Sequence, residues 1–242
     1  MRILCTFKTD KIPINYRMTI VSIMKEALKA SDESYYQKLY RQGKRTKPFV
    51  FSVFLKNFEY EHDEIRLDEL TIILSSPDYE FLLNVYNGLQ KNKEFLYKHY
   101  QLSRKKMSIV KEKQVGGSKV VFRTLSPILV EDEQGLPVSP NDPSYEKHIN
   151  HLANLILFEY RGVGLFTPLL IRPLKFRKMV VKESNREFER KFGHQSYLYF
   201  TAYHGFFEIT GHPNDLQLLY QLGLSKRRNQ GFGMLEVEEV KG

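Results

Sequence analysis

The same order of structural elements can be read twice along this chain, and that repetition restricts the fold more than any other feature of the sequence. Residues 2–8 alternate as a short strand, after which Ile20, Ile23, Met24, Ala27 and Leu28 recur at helical spacing. Asp32 can cap a second helical segment carrying Tyr35, Tyr36, Leu39 and Tyr40, and residues 49–55 are rich in strand-forming side chains. Residues 64–75 alternate as one strand. Ser76-Pro77 then opens a helix with a cap and a first-turn proline, and Phe81, Leu82, Val85 and Leu89 form its apolar stripe. A strand or hairpin over residues 94–113 completes a βαββαβ unit. The second half repeats the order: strand 119–130, helix 143–160, strands 169–182 and 196–210, helix 213–222, strand 232–240. Thr210-Gly211-His212-Pro213 leads from strand into helix much as Ser75-Ser76-Pro77 does. The chain is therefore expected to be α+β, built from two tandem ferredoxin-like βαββαβ domains, residues 1–115 and 119–242, with Gly116-Gly117 in the connection. That fold hosts many functions, so the chemistry has to be read from particular residues.

Lys and Arg number 37 against 28 Asp and Glu, a formal net charge of +9, which implies a polyanionic partner. Nucleic acid is the first such partner and a membrane surface the second. The most apolar stretch, residues 152–171, is interrupted by Glu159, Arg161, Gly162, Gly164 and Pro168, so no spanning helix and no membrane partner are expected. The first residues do not join a basic start to an apolar run and a small-residue cleavage site. A single cysteine, Cys5, excludes an internal disulfide and suits a reducing cytoplasm. His148 and His151 share a helix face but lack a carboxylate or thiolate partner nearby, so neither a metal site nor a cofactor is expected.

The segment Gly223-Leu224-Ser225-Lys226-Arg227-Arg228-Asn229-Gln230-Gly231-Phe232-Gly233 sets three glycines and three consecutive cations between a helix and a strand. Glycine permits positive φ and close approach of another backbone, and the cations suit phosphate. It resembles the G-x-G-x5-G-x-G signature of the CRISPR-associated endoribonucleases of the Cas-six family, with Ser225 where the second glycine usually stands. The likeness extends to the turn Pro13-Ile14-Asn15, to Leu125-Ser126-Pro127-Ile128-Leu129-Val130 and to Lys175-Phe176-Arg177-Lys178. It implies CRISPR repeat RNA as the partner, with other CRISPR-associated proteins as further ones, and metal-independent cleavage within the repeat to a 2′,3′-cyclic phosphate and a 5′-OH. It also implies RNA contacts at Lys44, Arg45, Arg123, Lys175, Arg177, Gly223, Ser225, Lys226, Arg227, Arg228, Gly231 and Gly233.

Such cleavage wants a base for the 2′-hydroxyl, an acid for the 5′-oxygen and positive charge on the phosphorane. In the family a histidine near the end of the second helical segment, a lysine shortly after it and a tyrosine in the first helix commonly supply these. The matching positions here are Tyr40, Lys47 and Lys25, so the usual histidine is a tyrosine. Lys44, Arg45 and Lys47 are expected to favour the Tyr40 phenolate. Tyr40 is equally readable as a packing residue of its helix and Lys25 as a solvated one. Three functions stay open at this point: an endoribonuclease, a catalytically silent repeat-RNA binding protein, and a structural subunit of a CRISPR ribonucleoprotein.

Overall fold

The computed structural model describes residues 1–41, 46–184, 190–191, 193 and 197–241. In the first half, β1 (Arg2–Lys8) and the short β2 (Lys11–Pro13) precede α1 (Arg17–Ser31) and α2 (Glu33–Tyr40). Asp32 separates the two helices, and its carboxylate accepts the Tyr35 N–H at 3.0 Å as the cap of α2. Then come β3 (Val50–Lys56), β4 (Glu59–Glu61), β5 (Glu64–Arg66), β6 (Glu69–Ser75), α3 (Tyr79–Lys91), β7 (Glu94–Tyr97) and β8 (Tyr100–Val110). The main sheet runs β3-β6-β1-β8-β7, and β2-β5-β4 form a small separate sheet. One apolar core lies between the main sheet and α1, α2 and α3, with Ile3, Phe7, Ile20, Leu28, Phe51 and Phe81 inside it.

The second half comprises β9 (Lys119–Thr124), α4 (Tyr145–Arg161), β10 (Leu170–Glu183), β11 (Leu198–Thr210), α5 (Pro213–Leu222) and β12 (Leu235–Lys241). Its sheet runs β10-β11-β9-β12 around a second core that includes Phe122, Ile149, Leu157, Phe207 and Leu219. Numbering only the four framework strands of each half, both sheets have the order 2-3-1-4, the arrangement of a ferredoxin-like module. Every pairing within them is antiparallel.

Three local expectations are corrected. Residues 64–75 form two strands, because β5 pairs with β2 and β4 while β6 pairs with β1 and β3. Between them Leu67 donates its N–H to Asp10 O and Asp68 to Lys56 O. The cap of α3 is Asp78, whose carboxylate accepts the Phe81 N–H at 3.0 Å, so Pro77 lies outside the helix. Strand β9 stops at Thr124, because Pro127 has no N–H to continue the ladder and the following residues turn to support the loop after α5.

The halves meet through buried arginines. Arg2 binds Glu236 at 2.6 Å and Leu235 O at 2.6 Å, with its guanidinium 4.0 Å from the centre of the Tyr220 ring. Arg17, at the start of α1, pairs with Glu183 at the end of β10 at 3.3 Å, both side chains buried. Burial pushes the Glu183 carboxyl up to about 7, against the pull of Arg17. The folded state thus holds this proton more tightly than the unfolded chain does. The contribution of the group is full at low pH and is lost as pH rises from 4.5, the ordinary carboxylate value, to about 7. Glu183→Gln is expected to flatten the fall in stability across that window, measured as denaturant midpoints in a pH series. An unchanged slope would show that Glu183 does not titrate there.

Candidate active site

Helices α1 and α2 present a two-rung ladder. Tyr36 and Tyr40, one turn apart on α2, stack with ring centroids 5.2 Å apart. Lys29 and Lys25, one turn apart on α1, lie over them, Lys29 Nζ at 4.7 Å from the Tyr36 ring centre and Lys25 Nζ at 5.0 Å from that of Tyr40. Lys47, in the segment leading to β3, approaches the Tyr40 ring to 5.3 Å. Lys25, Tyr40 and Lys47, 22 positions apart from first to last, are thus brought to one place. Lys44 and Arg45 lie outside the described residues.

The electrostatics at Tyr40 reverse the expectation. Burial pushes its phenol well above the ordinary tyrosine value, and Tyr36 adds to the effect. The lysines attract the ring face as cations and do not offset the lost hydration of a phenolate. Burial also lowers the pKa of Lys47, since its ammonium gives up water.

Lys47 also lines a cleft of about 490 Å³ between the halves. Its charged and phenolic lining also includes Tyr35 and Lys38 of α2, Asp78 and Glu80 at the start of α3, Glu159 and Tyr160 of α4, and Arg228. Sequence reasoning missed the α4 wall; the register of that helix marks Glu159 as outward-facing, but nothing local says which cavity it borders.

The loop after α5 rests on the segment that follows β9, which joins two of the motifs singled out above. Lys226 N–H donates to Leu129 O at 3.0 Å, Gly233 N–H to Pro127 O at 2.8 Å, and Met234 N–H to the Ser126 hydroxyl at 2.9 Å. Ser225 is buried, accepting the Leu129 N–H at 2.8 Å, so it braces the loop where contact with RNA was expected. Gly223, Gly231 and Gly233 have positive φ, as the motif requires, but they too are packed inside. A Cβ on Gly223 would meet Val50 at 2.7 Å and one on Gly231 would meet the Phe51 ring at 2.8 Å. The close approach they permit is to β3 of the same chain.

The three cations of the loop also diverge. Lys226 pairs with Glu131 at 3.0 Å and remains 40% exposed, and exposed Arg227 lies over the Phe200 ring at 4.4 Å. Arg227 is left-handed, at φ 56°, which turns Arg228 inward. Arg228 is 5% exposed and donates to Leu222 O at 2.8 Å, with its pKa lowered to about 10 by burial. Its place is the wall of the cleft, so an RNA contact by Arg228 is one made inside that cleft. On the second sheet, Lys175 and Arg177 of β10 are exposed, Arg177 opposite His204, and Arg123 of β9 pairs with Glu238 at 2.5 Å. Burial, then Arg177 and Arg123, lower the pKa of His204. Among the described residues no helix is long and apolar enough to cross a membrane.

The family model described as CRISPR associated protein Cas6, C-terminal, matches residues 110–237, more than half of the chain and including the loop and its seat. This chain belongs to the Cas6 family. A CRISPR-associated endoribonuclease Cas6 of Pyrococcus furiosus is 24% identical over 241 residues, which are 96% of this chain and 85% of that protein. Two solved structures superimpose over nearly all of both chains. One, a Cas6-related protein from Pyrococcus furiosus, has a TM-score of 0.81 at 21% identity, covering 100% of this chain and 99% of that one. The other, described as a RAMP protein binding different RNA substrates, has a TM-score of 0.79 at 20% identity, covering 99% and 100%. Both likenesses bear on the fold, that of Cas6 proteins with tandem ferredoxin-like modules.

Proposed function

We propose that this Cas6 protein is an endoribonuclease that cuts CRISPR precursor RNA within its repeats, independently of metal. The 2′-oxygen forms a bond to the adjacent phosphorus as the P–O5′ bond breaks. The 2′-hydroxyl proton ends on the 5′-oxygen, and no water is consumed. The convergence of Lys25, Tyr40 and Lys47, the last of which lines the cleft, carries this reading. Lys25 and Lys47 supply positive charge to the phosphorane oxygens. Tyr40, kept protonated by burial, donates a hydrogen bond and is not a base at neutral pH. Arg123, Lys175, Arg177, Lys226 and Arg227 hold backbone phosphates along the surface. The test is incubation with the CRISPR repeat RNA of the same genome, in chelator, with end-group analysis. One specific cut leaving a cyclic phosphate supports the enzyme.

The high pKa of Tyr40 favours a second reading, a catalytically silent repeat-RNA binding protein or a structural subunit of a CRISPR ribonucleoprotein. Tight binding without a cut supports it. Tyr40→His separates the two, because imidazole titrates near neutrality and two nearby lysines discourage its protonation. The variant is expected to raise the single-turnover cleavage rate by about 10²-fold or more, the usual worth of a positioned acid–base group. A rate unchanged by His and by Phe at this position would make Tyr40 a packing residue.

A further inference from the structure

The cleft beside Lys47 carries two kinds of charge. Lys38 and Lys47 suit a phosphate, whereas Asp78, Glu80 and Glu159 repel one. Asp78 is committed, capping α3 and accepting from the Tyr35 hydroxyl at 3.5 Å. Glu159 is exposed, and its carboxylate makes no hydrogen bond or ion pair among the described residues. It acts on Arg228, the buried guanidinium in the wall of the same cavity. Of the five N–H donors of a guanidinium, one is given to Leu222 O. One cavity therefore joins a carboxylate with two free acceptors to a guanidinium that keeps donors in reserve, with Tyr160 next to Glu159 on α4 and Tyr35 on the α2 side.

We propose that this cleft holds a guanine base, Glu159 accepting from N1–H and N2–H and Arg228 donating to O6 and N7. Guanine has two adjacent donors on its Watson–Crick edge and two adjacent acceptors on its major-groove edge, the complement of such a pair. Adenine and cytosine each turn an unprotonated ring nitrogen toward the carboxylate, and uracil flanks its one donor with two carbonyl oxygens. Tyrosine rings give a base a face to stack on, and the volume lies within the usual range of ligand pockets, about 300–1,000 Å³. The attached phosphate falls to Lys47 and Lys38. This inference rests on the reading of the cleft as part of the RNA site, and it makes Glu159 and Arg228 specificity residues for the nucleotide beside the cut.

The probes are 5′-GMP, IMP, AMP, CMP and UMP, titrated against the whole protein by saturation-transfer NMR, with repeat-RNA affinity measured in parallel. GMP is expected to bind about tenfold or more tighter than AMP, CMP and UMP, the discrimination of one good bidentate contact, with IMP between because it lacks the N2 amino group. Glu159→Gln is expected to abolish the preference without moving the thermal midpoint, since the residue is exposed. Equal or undetectable binding of the mononucleotides by a protein that binds repeat RNA overturns the guanine pocket and leaves the RNA-binding reading intact. If neither RNA nor nucleotide binds, both fall. A GMP preference that survives Glu159→Gln overturns the assignment to Glu159.

Discussion

A repeat RNA carrying a single 2′-deoxyribose immediately upstream of the scissile phosphate is expected to bind and to remain uncut. The proposed reaction has its nucleophile inside the substrate, and a well-oriented intramolecular attack is worth effective concentrations of about 10⁵–10⁸ M. Removing that oxygen leaves only water as a nucleophile, and the intramolecular advantage is lost. Affinity responds differently, because it is dominated by contacts to many phosphates. One lost hydroxyl costs about 0.5–1.5 kcal/mol, roughly a tenfold loss at most. Single-turnover assays in chelator, with filter binding on the same RNA, read both quantities. A cut that persists on the deoxy substrate, or that requires added magnesium, would falsify the mechanism.

The regular elements were legible because their signals are local. Alternation marked β1, and a proline-led apolar repeat marked α5, whose bounds Pro213–Leu222 are those expected. Order alone implied two ferredoxin-like halves, and the sheets have that topology. The misreadings arise where distant segments decide. The alternation of Ile65 and Leu67 changes phase before Leu70, Ile72 and Leu74, and the chain changes sheets at that break, where partners elsewhere in the chain decide the pairing. Lys226, Arg227 and Arg228 read as one charged run, and only the left-handed Arg227 sends the third inward. Tyr40 was expected to have its phenolate favoured by Lys44, Arg45 and Lys47; of these Lys47 lies over its ring, as Lys25 does, and burial raises its pKa. Glu159 lay in a stretch read as a helix too interrupted to span a membrane, and its cleft exists because α4 packs near Lys47 and Arg228.

Gly231→Val is expected to lower the thermal midpoint by roughly 10 °C. Two costs add. A β-branched residue at φ 81° occupies a left-handed conformation, worth about 1–2 kcal/mol, and its side chain must displace the Phe51 ring, for which overpacking costs about 1–3 kcal/mol. At about 2–4 °C per kcal/mol for a chain of this size, the sum gives the stated shift. The disturbance spreads because Gly231 O accepts from Arg17 Nε at 3.4 Å and Arg17 also holds Glu183. Gly116→Ala is the control, since a Cβ there meets nothing within 4 Å. Thermal melts and RNA binding on the same preparations separate two roles for the loop. A junction that holds the halves together loses stability first, and binding falls with it. A loop that cradled phosphate on a free surface would instead lose binding while melting like the parent protein, and that result would return Gly231 to the RNA interface.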